Sequence, residues 1–208
     1  MRPLKIVVLA KQVPDTRNVG PDAMKPDGTV NRGKLSTVFN PDDLHALELA
    51  LNIKDRIPGT HVTILTMGPQ KAADIIREGY YRGVDNGIMI SDRRFGGADT
   101  LATSYTIVQG IKKIADYDLI LGGRQAIDGD TAQVGPQCAD KLNIPQVTYV
   151  EEILEITATG IIAKRRLEKG IETVSAPFPC LITVHGSSPK CRSRHAKNVM
   201  KYKYARSK

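Results

Sequence analysis

From Lys5 to Leu142 short apolar runs alternate with longer stretches of helical period, and this alternation constrains the fold more than any other feature. Strand-like runs stand at Lys5 to Ala10, His61 to Thr66, Gly87 to Ser91 and Asp118 to Leu121. Helical stretches stand at Asp42 to Asp55, Lys71 to Tyr81, Thr100 to Ala115 and Ala132 to Leu142. Leu44, Leu47, Leu51 and Ile53 give the first of these an apolar face. Strands joined through helices pair in parallel by right-handed crossovers, so the expected core is a three-layer α/β sandwich around a mostly parallel, Rossmann-like sheet. After Pro145 the period changes. Gln146 to Thr157, Gly160 to Leu167, Glu172 to Ser175 and Leu181 to Val184 read as strands with no helix between them, which predicts an antiparallel hairpin added to the core. Gln12 to Thr37 reads as a turn-rich loop, punctuated by Pro14, Gly20, Pro21, Asp27-Gly28 and Gly33.

Between Gly122 and Gln137 the chain reads GGRQAIDGDTAQVGPQ, placed between an apolar run and a helical stretch. A strand, a Gly-rich loop and a helix start together present free amides and a positive helix end to an anion, commonly a phosphate. Gly122 and Gly123 permit close backbone approach, Arg124 adds a charged fork, Asp130 or Thr131 can cap the helix, and Gln133 offers an amide. The spacing matches neither the dinucleotide fingerprint nor the P-loop. An ordinary capped strand-to-helix turn therefore stands beside the phosphate reading.

Ligands in such sheets sit at the carboxyl ends of the strands, where strand order reverses. Four loops are expected there: Ala10, Lys11, Gln12, Val13, Pro14 and Asp15 after the first strand, Asn40 at a helix start, Thr66-Met67-Gly68, and the Gly-rich loop. Each also has a plain reading, with Asn40 as a cap before Pro41, Gly68 as a turn and Lys11 as a solvated lysine. Together they suit an adenine nucleotide.

The string G-R-Q-A-I-D-G-D-T-A-Q-V-G resembles the nucleotide-binding loop of the electron transfer flavoprotein beta subunit family. Lys5 to Asp15, Asn40-Pro41-Asp42 with Ala46-Leu-Glu48, Gly170-Ile-Glu-Thr-Val174 and Asn198-Val-Met-Lys201 resemble further family segments in the same order. The resemblance implies an adenine nucleotide alpha-hydrolase-like sheet. It implies adenine-side contacts at Ala10, Asn40 and Thr66 to Gly68, and phosphate contacts at Gln125, Ala126, Asp130, Gln133 and their neighbours Thr131, Ala132 and Val134. It also implies an alpha subunit as partner, and an acyl-CoA dehydrogenase-like or other flavin dehydrogenase beyond it. Glu172 is by resemblance a contact to a flavin held by the alpha subunit; Arg165 is a second candidate, with a solvated hairpin residue as its plainer reading.

Simpler family members hold AMP, and their loop continues D-D-C-N-Q-T. Here Ala132 and Val134 stand where they carry Asn and Thr, and Thr16 stands where they often carry Tyr. Val13-Pro-Asp-Thr16 with the altered loop resembles the bifurcating branch, in which FAD takes the AMP place, NADH is an electron donor and ferredoxin an acceptor. The expectation is therefore FAD, with AMP the alternative. A stand-alone ATP-binding sensor of similar fold remains a different reading.

Net charge is +8, and it is local. From Lys190 to Lys208 there is no acidic residue, whereas the remainder is balanced. Residues 1–189 are thus expected to form the nucleotide-binding domain with its hairpin, and 190–208 a basic tail. Charge alone suits an acidic protein, a nucleic acid, a membrane surface or plain solvation, and the family resemblance implies a tail that contacts a protein partner. Tyr202 and Tyr204 are the tail's sole aromatic interleaving, so no nucleic-acid partner is expected. Cys138, Cys180 and Cys191 lack metal or disulfide spacing, no long apolar stretch predicts membrane insertion, and Met1-Arg-Pro does not open a leader; a cytoplasmic protein is expected. His45, His61, His185 and His195 show no spacing of ligands, and no catalytic set is evident.

Overall fold

The structure is a computed structural model that describes residues 2–16 and 35–206. The expected turns at Gly20, Pro21, Asp27-Gly28 and Gly33 lie outside the described residues.

One eight-stranded sheet organises the chain. In chain order its strands are β1 (Lys5–Leu9), β4 (His61–Met67), β5 (Asn86–Ile90), β6 (Leu119–Gly123), β7 (Gln146–Ile156), β8 (Gly160–Leu167), β9 (Gly170–Pro177) and β10 (Cys180–Val184). A separate antiparallel pair, β2 (Gln12–Pro14) and β3 (Thr37–Phe39), begins and ends the segment expected to be only loop. The helices are α1 (Pro41–Arg56), α2 (Ala73–Arg82), α3 (Thr100–Ile114), α4 (Val134–Leu142) and α5 (Ala196–Tyr202).

Spatial order across the large sheet is β5-β4-β1-β6-β10-β7-β8-β9. The first six strands are parallel and the last two antiparallel. Leu181 to Val184 corrects one expectation. Sequence proximity attached it to the antiparallel extension, but β10 inserts in parallel between β6 and β7. An apolar strand of β-branched and Leu residues serves equally in either orientation, and burial decides: every residue of β10 is buried.

Alternation along the strands makes the three layers. Ile6 and Val8 of β1, Leu119 and Leu121 of β6, and Ile182 and Val184 of β10 join Leu47, Leu51 and Ile53 of α1 and Ile75 of α2 in one core. Val7, Ile120 and Leu181 point the opposite way, onto Ile107, Val108 and Ile111 of α3 and Cys138 and Ala139 of α4. Buried side chains of this size each contribute about 1.5–3 kcal/mol to folding, so both faces are strongly specified.

The chain moves from β1 outward to β4 and β5, then returns through α3 to place β6 on the other side of β1. Strand order therefore reverses between β1 and β6, where a crevice is expected.

Candidate functional site

Register sets the rim. Leu9 stands beside Leu65 and Gly122, so Ala10, Thr66 and Gly123 emerge level with one another at the carboxyl edge. Beyond this rim the two central strands part: β1 continues toward α1, and β6 continues toward α4 on the opposite face. Their next amides have no ladder partner from each other.

The first turn of α1 fills that gap. Asp43, 8% exposed, accepts from the Lys11 amide at Oδ2 (2.8 Å) and from the Gly123 amide at Oδ1 (3.0 Å). Burial pushes its carboxyl up to about 7; the Lys11 amide, the Asn40 side chain and the Gly123 amide pull it down, and nearby Asp42 raises it. Asn40 is fully buried. It stands at the cap position of α1, but its side chain makes no cap bond. Its Nδ2 donates to the Gln125 carbonyl (2.8 Å), and its Oδ1 accepts from the Ile127 amide (3.2 Å). The Asn40 amide donates to the Lys11 carbonyl (3.0 Å). The plain reading of Asn40 as a cap is therefore replaced: Pro at the first helical position removes one amide that needed a cap, and the Asn side chain is spent on the Gly-rich loop.

Gly123 has a different task from phosphate approach. A Cβ there would stand 2.5 Å from the Asp42 carbonyl carbon and 2.6 Å from the Asp43 nitrogen, so the glycine lets β6 end against the α1 backbone. Gly122 is buried within β6. Arg124 donates its amide to the Val184 carbonyl (3.0 Å), and its guanidinium stands 3.6 Å from Asp42.

The rest of the loop closes on itself. The Ala126 carbonyl accepts from the amides of Gly129 and Asp130, and Gln125 Nε2 donates to Asp130 Oδ1 (2.6 Å). Lys11 Nζ reaches Asp128 Oδ1 (2.7 Å) and so ties the β1 loop to the Gly-rich loop. The helix begins at Val134, two residues later than expected, with Gln133 at the cap position. Asp130 and Thr131 do not cap it: Asp130 and Ala132 take left-handed φ of 50° and 53°, which breaks the helical run before it starts. Gln133 sends its side chain to Thr100 instead, accepting at 2.8 Å. Left-handed Ala132 followed by right-handed Gln133, ahead of the free first-turn amides of α4, is the concave backbone that receives anions.

At the other end of the crevice, Ala10 is buried and its amide donates to the Leu65 carbonyl (3.0 Å). Gly68 donates to Ile90 (3.1 Å). Thr66 is 1% exposed, and its hydroxyl has no hydrogen-bond partner among the described residues. An orphaned buried hydroxyl costs about 1–3 kcal/mol unless a ligand satisfies it. Met67 packs partly buried against the α3 core. Val13 is buried in β2, Asp15 donates its amide to the Ser36 carbonyl (2.8 Å), and Thr16 is exposed. Val134 packs partly buried at the α4 start. An adenine nucleotide fits these donors: an unpaired hydroxyl at the Thr66 end and a backbone anion concavity at the α4 end.

Two clefts of about 410 and 330 Å3 lie elsewhere, the larger against β7 and β8 and the smaller between α1 and β7, and share Glu151, Glu152 and Pro189. Glu151, common to both, is already paired with Arg166 and Ser187. In the hairpin, Arg165 and Glu172 pair with each other across β8 and β9 (2.8 Å).

The expected tail is in part docked. Arg192 binds Glu48 (3.1 Å) and Asp55 (2.9 Å), Arg194 binds Glu78 (2.8 Å), and Tyr202 of α5 stacks on Tyr80 of α2 at 4.8 Å. No helix among the described residues is long and apolar enough to cross a membrane.

Sequence reasoning missed Asp43. Acids in a helix's first turn ordinarily answer the helix dipole, and two of them, Asp42 and Asp43, follow Pro41.

Residues 27–206 match the family model described as the electron transfer flavoprotein domain. The caffeyl-CoA reductase-Etf complex subunit CarD of Acetobacterium woodii is 51% identical over 180 residues, covering 86% of this chain and 68% of that protein. An acryloyl-CoA reductase electron transfer subunit gamma of Anaerotignum propionicum is 50% identical over 182 residues, covering 86% and 67%. An electron transfer flavoprotein subunit beta of Clostridium acetobutylicum is 49% identical over 180 residues, covering 86% and 68%.

Proposed function

The chain belongs to the electron transfer flavoprotein family, among its beta subunits, and from that premise we propose that its switch-point crevice holds FAD for flavin-based electron bifurcation. The observation that carries the reading is the convergence, at one rim, of an orphaned buried Thr66 hydroxyl, the Lys11 loop and the anion concavity before α4. A bound flavin would supply the redox chemistry, taking a hydride from NADH and releasing single electrons.

The chain's own residues bind and orient. Thr66 and the Ala10 carbonyl offer polar atoms to the adenine end. The amides of Ala132, Gln133 and Val134 receive phosphate oxygens. Gln125 and Asp130 brace each other and fix the loop between these ends. Thr16 is exposed among the described residues and carries a side chain small enough for a nicotinamide ring to approach it. Stacking for hydride transfer needs reacting atoms roughly 3–3.5 Å apart, which a bulky side chain at this position obstructs.

The complex expected is a heterodimer with an alpha subunit holding a second flavin. Electrons pass between NADH or an acyl-CoA dehydrogenase-like partner and an acceptor such as ferredoxin. The named complexes of the Acetobacterium and Anaerotignum relatives, each an acyl-CoA-type reductase, favour a partner of that class. Unbridged Cys138, Cys180 and Cys191 suit the cytoplasm.

The test is flavin bleaching by NADH in the purified heterodimer, in wild type and in Thr16→Tyr. Wild type is expected to bleach and the variant to bleach slowly with its FAD retained. A wild-type complex that NADH does not reduce contradicts the bifurcating reading.

A further inference from the structure

At a switch point two neighbouring strands lead to opposite faces, and the amides just past the rim lose their ladder partners. In this chain both amides, from Lys11 and Gly123, go to the two oxygens of one carboxylate. Resting on the nucleotide reading above, we propose that Asp43 is a positioning residue for the adenine nucleotide: as a carboxylate it holds both walls of the crevice at the spacing the ligand needs, and a proton on it loosens them.

The geometry supports this directly. A carboxylate is acceptor-only and serves two amides at full strength, whereas an amide side chain presents a donor at one end and a protonated acid keeps only a neutral, weaker acceptor on its hydroxyl oxygen. One backbone N–H would then face a donor in Asp43→Asn, and a weakened acceptor in the protonated acid. The wall carrying Gly123 continues into the loop that Asn40 holds at Gln125 and Ile127, so displacement of Gly123 moves the anion concavity. The wall carrying Lys11 continues into Val13 to Thr16 and, through Lys11 Nζ, into Asp128. Asp43 is thus not a ligand contact; it acts through the two segments that are.

A proton on Asp43 is within reach of neutral pH, because burial raises its carboxyl to about 7. The charged groups around it are Asp42 on its own helix, Lys11 on the β1 loop, and Arg124 and Asp128 on the Gly-rich loop. Lys11 and Asp128 neutralise each other, and Arg124 faces Asp42, so the local field is close to balanced.

The experiment measures dissociation constants for FAD and for AMP on the nucleotide-depleted heterodimer, in wild type and Asp43→Asn, from about pH 8 to about pH 6. Thermal midpoints without nucleotide are recorded alongside. At pH 8 the variant is expected to bind at least tenfold more weakly. The ratio of variant to wild type is expected to shrink toward one at pH 6, because the protonated Asp43 carboxyl and the amide introduced by Asp43→Asn both lack the second charged acceptor that holds the two backbone amides. The comparison cancels titration of the ligand itself. Equal affinities at pH 8, or a ratio that does not change with pH, overturn the proposal. So does a loss of affinity at pH 8 that is matched by a fall in thermal midpoint, since that marks a merely structural role. A wild type that takes up neither nucleotide at any pH overturns both this inference and the reading beneath it.

Discussion

Asp43 and Gly123 meet where the two central strands part, and each carries a prediction. Asp43 is an acid whose folded pKa lies above its ordinary value of 3.8, at about 7. Between these values the folded chain holds a proton that the unfolded chain has released, so the Asp43 contribution to stability falls as pH rises from about 4 to about 7 and is level above that. In Asp43→Asn this component of the pH dependence is expected to vanish, as read from urea midpoints across the range; an unchanged slope would show that Asp43 stays ionised throughout. Gly123→Ala places a Cβ 2.5–2.6 Å from backbone atoms of Asp42 and Asp43, which cannot rotate away. Overpacking of this kind costs about 1–3 kcal/mol. The urea midpoint should drop accordingly and nucleotide affinity should drop with it. A variant as stable as wild type would mean that β6 and α1 are less tightly apposed than described. Much of the site was legible at this scale because types betray roles: paired glycines after an apolar run mark a strand end, and Asn-Pro marks a helix start. The partners of those residues were not legible. Nothing in the order Asn40, Pro41, Asp42, Asp43 says that the first and last reach across to residues 125, 127 and 123, since such contacts are set by tertiary register.

At the scale of elements, α1 joins the nucleotide site to the basic tail. Its first turn holds the crevice, and further along Glu48, Asn52 and Asp55 hold Arg192. Glu48 is nearly buried, so Arg192→Ala leaves a carboxylate without its cation. The expected cost is about 1–3 kcal/mol, with amides of residues 190–206 exchanging faster in hydrogen-exchange measurements. Protection in the tail equal to wild type would contradict its docking through Arg192. Composition located the excess charge but could not tell a solvated tail from one whose arginines are spent on α1 and α2. Those acids lie far away in sequence, and charge pairing is local in space rather than along the chain. The same reason explains β10. Its apolar run predicted a strand correctly, while its place between β6 and β7 depended on which gap in the sheet stood open. The three layers were legible because short unbroken apolar runs report strands buried on both faces, and the helical stretches between them supply the two covering layers.

For the molecule as a whole, fold and family coincide: a sheet whose order reverses between β1 and β6, loops gathered at that rim, and a chain about half identical to beta-type and reductase-complex subunits. The β8–β9 hairpin buries Ile161, Ala163 and Ala176 in the core, while its outward Arg165–Glu172 pair and the outward side of α5 suit an assembled protein. Co-expression with an alpha subunit is expected to yield a stable heterodimer; a chain that stays monomeric in its presence would favour the stand-alone sensor. Whether the switch point holds a flavin is decided by the nucleotide released when the purified heterodimer is denatured, identified and counted per complex. Two FAD are expected, one from each subunit. One FAD with one AMP would contradict the bifurcating assignment, and a single FAD with no second adenine nucleotide would contradict the switch-point site itself.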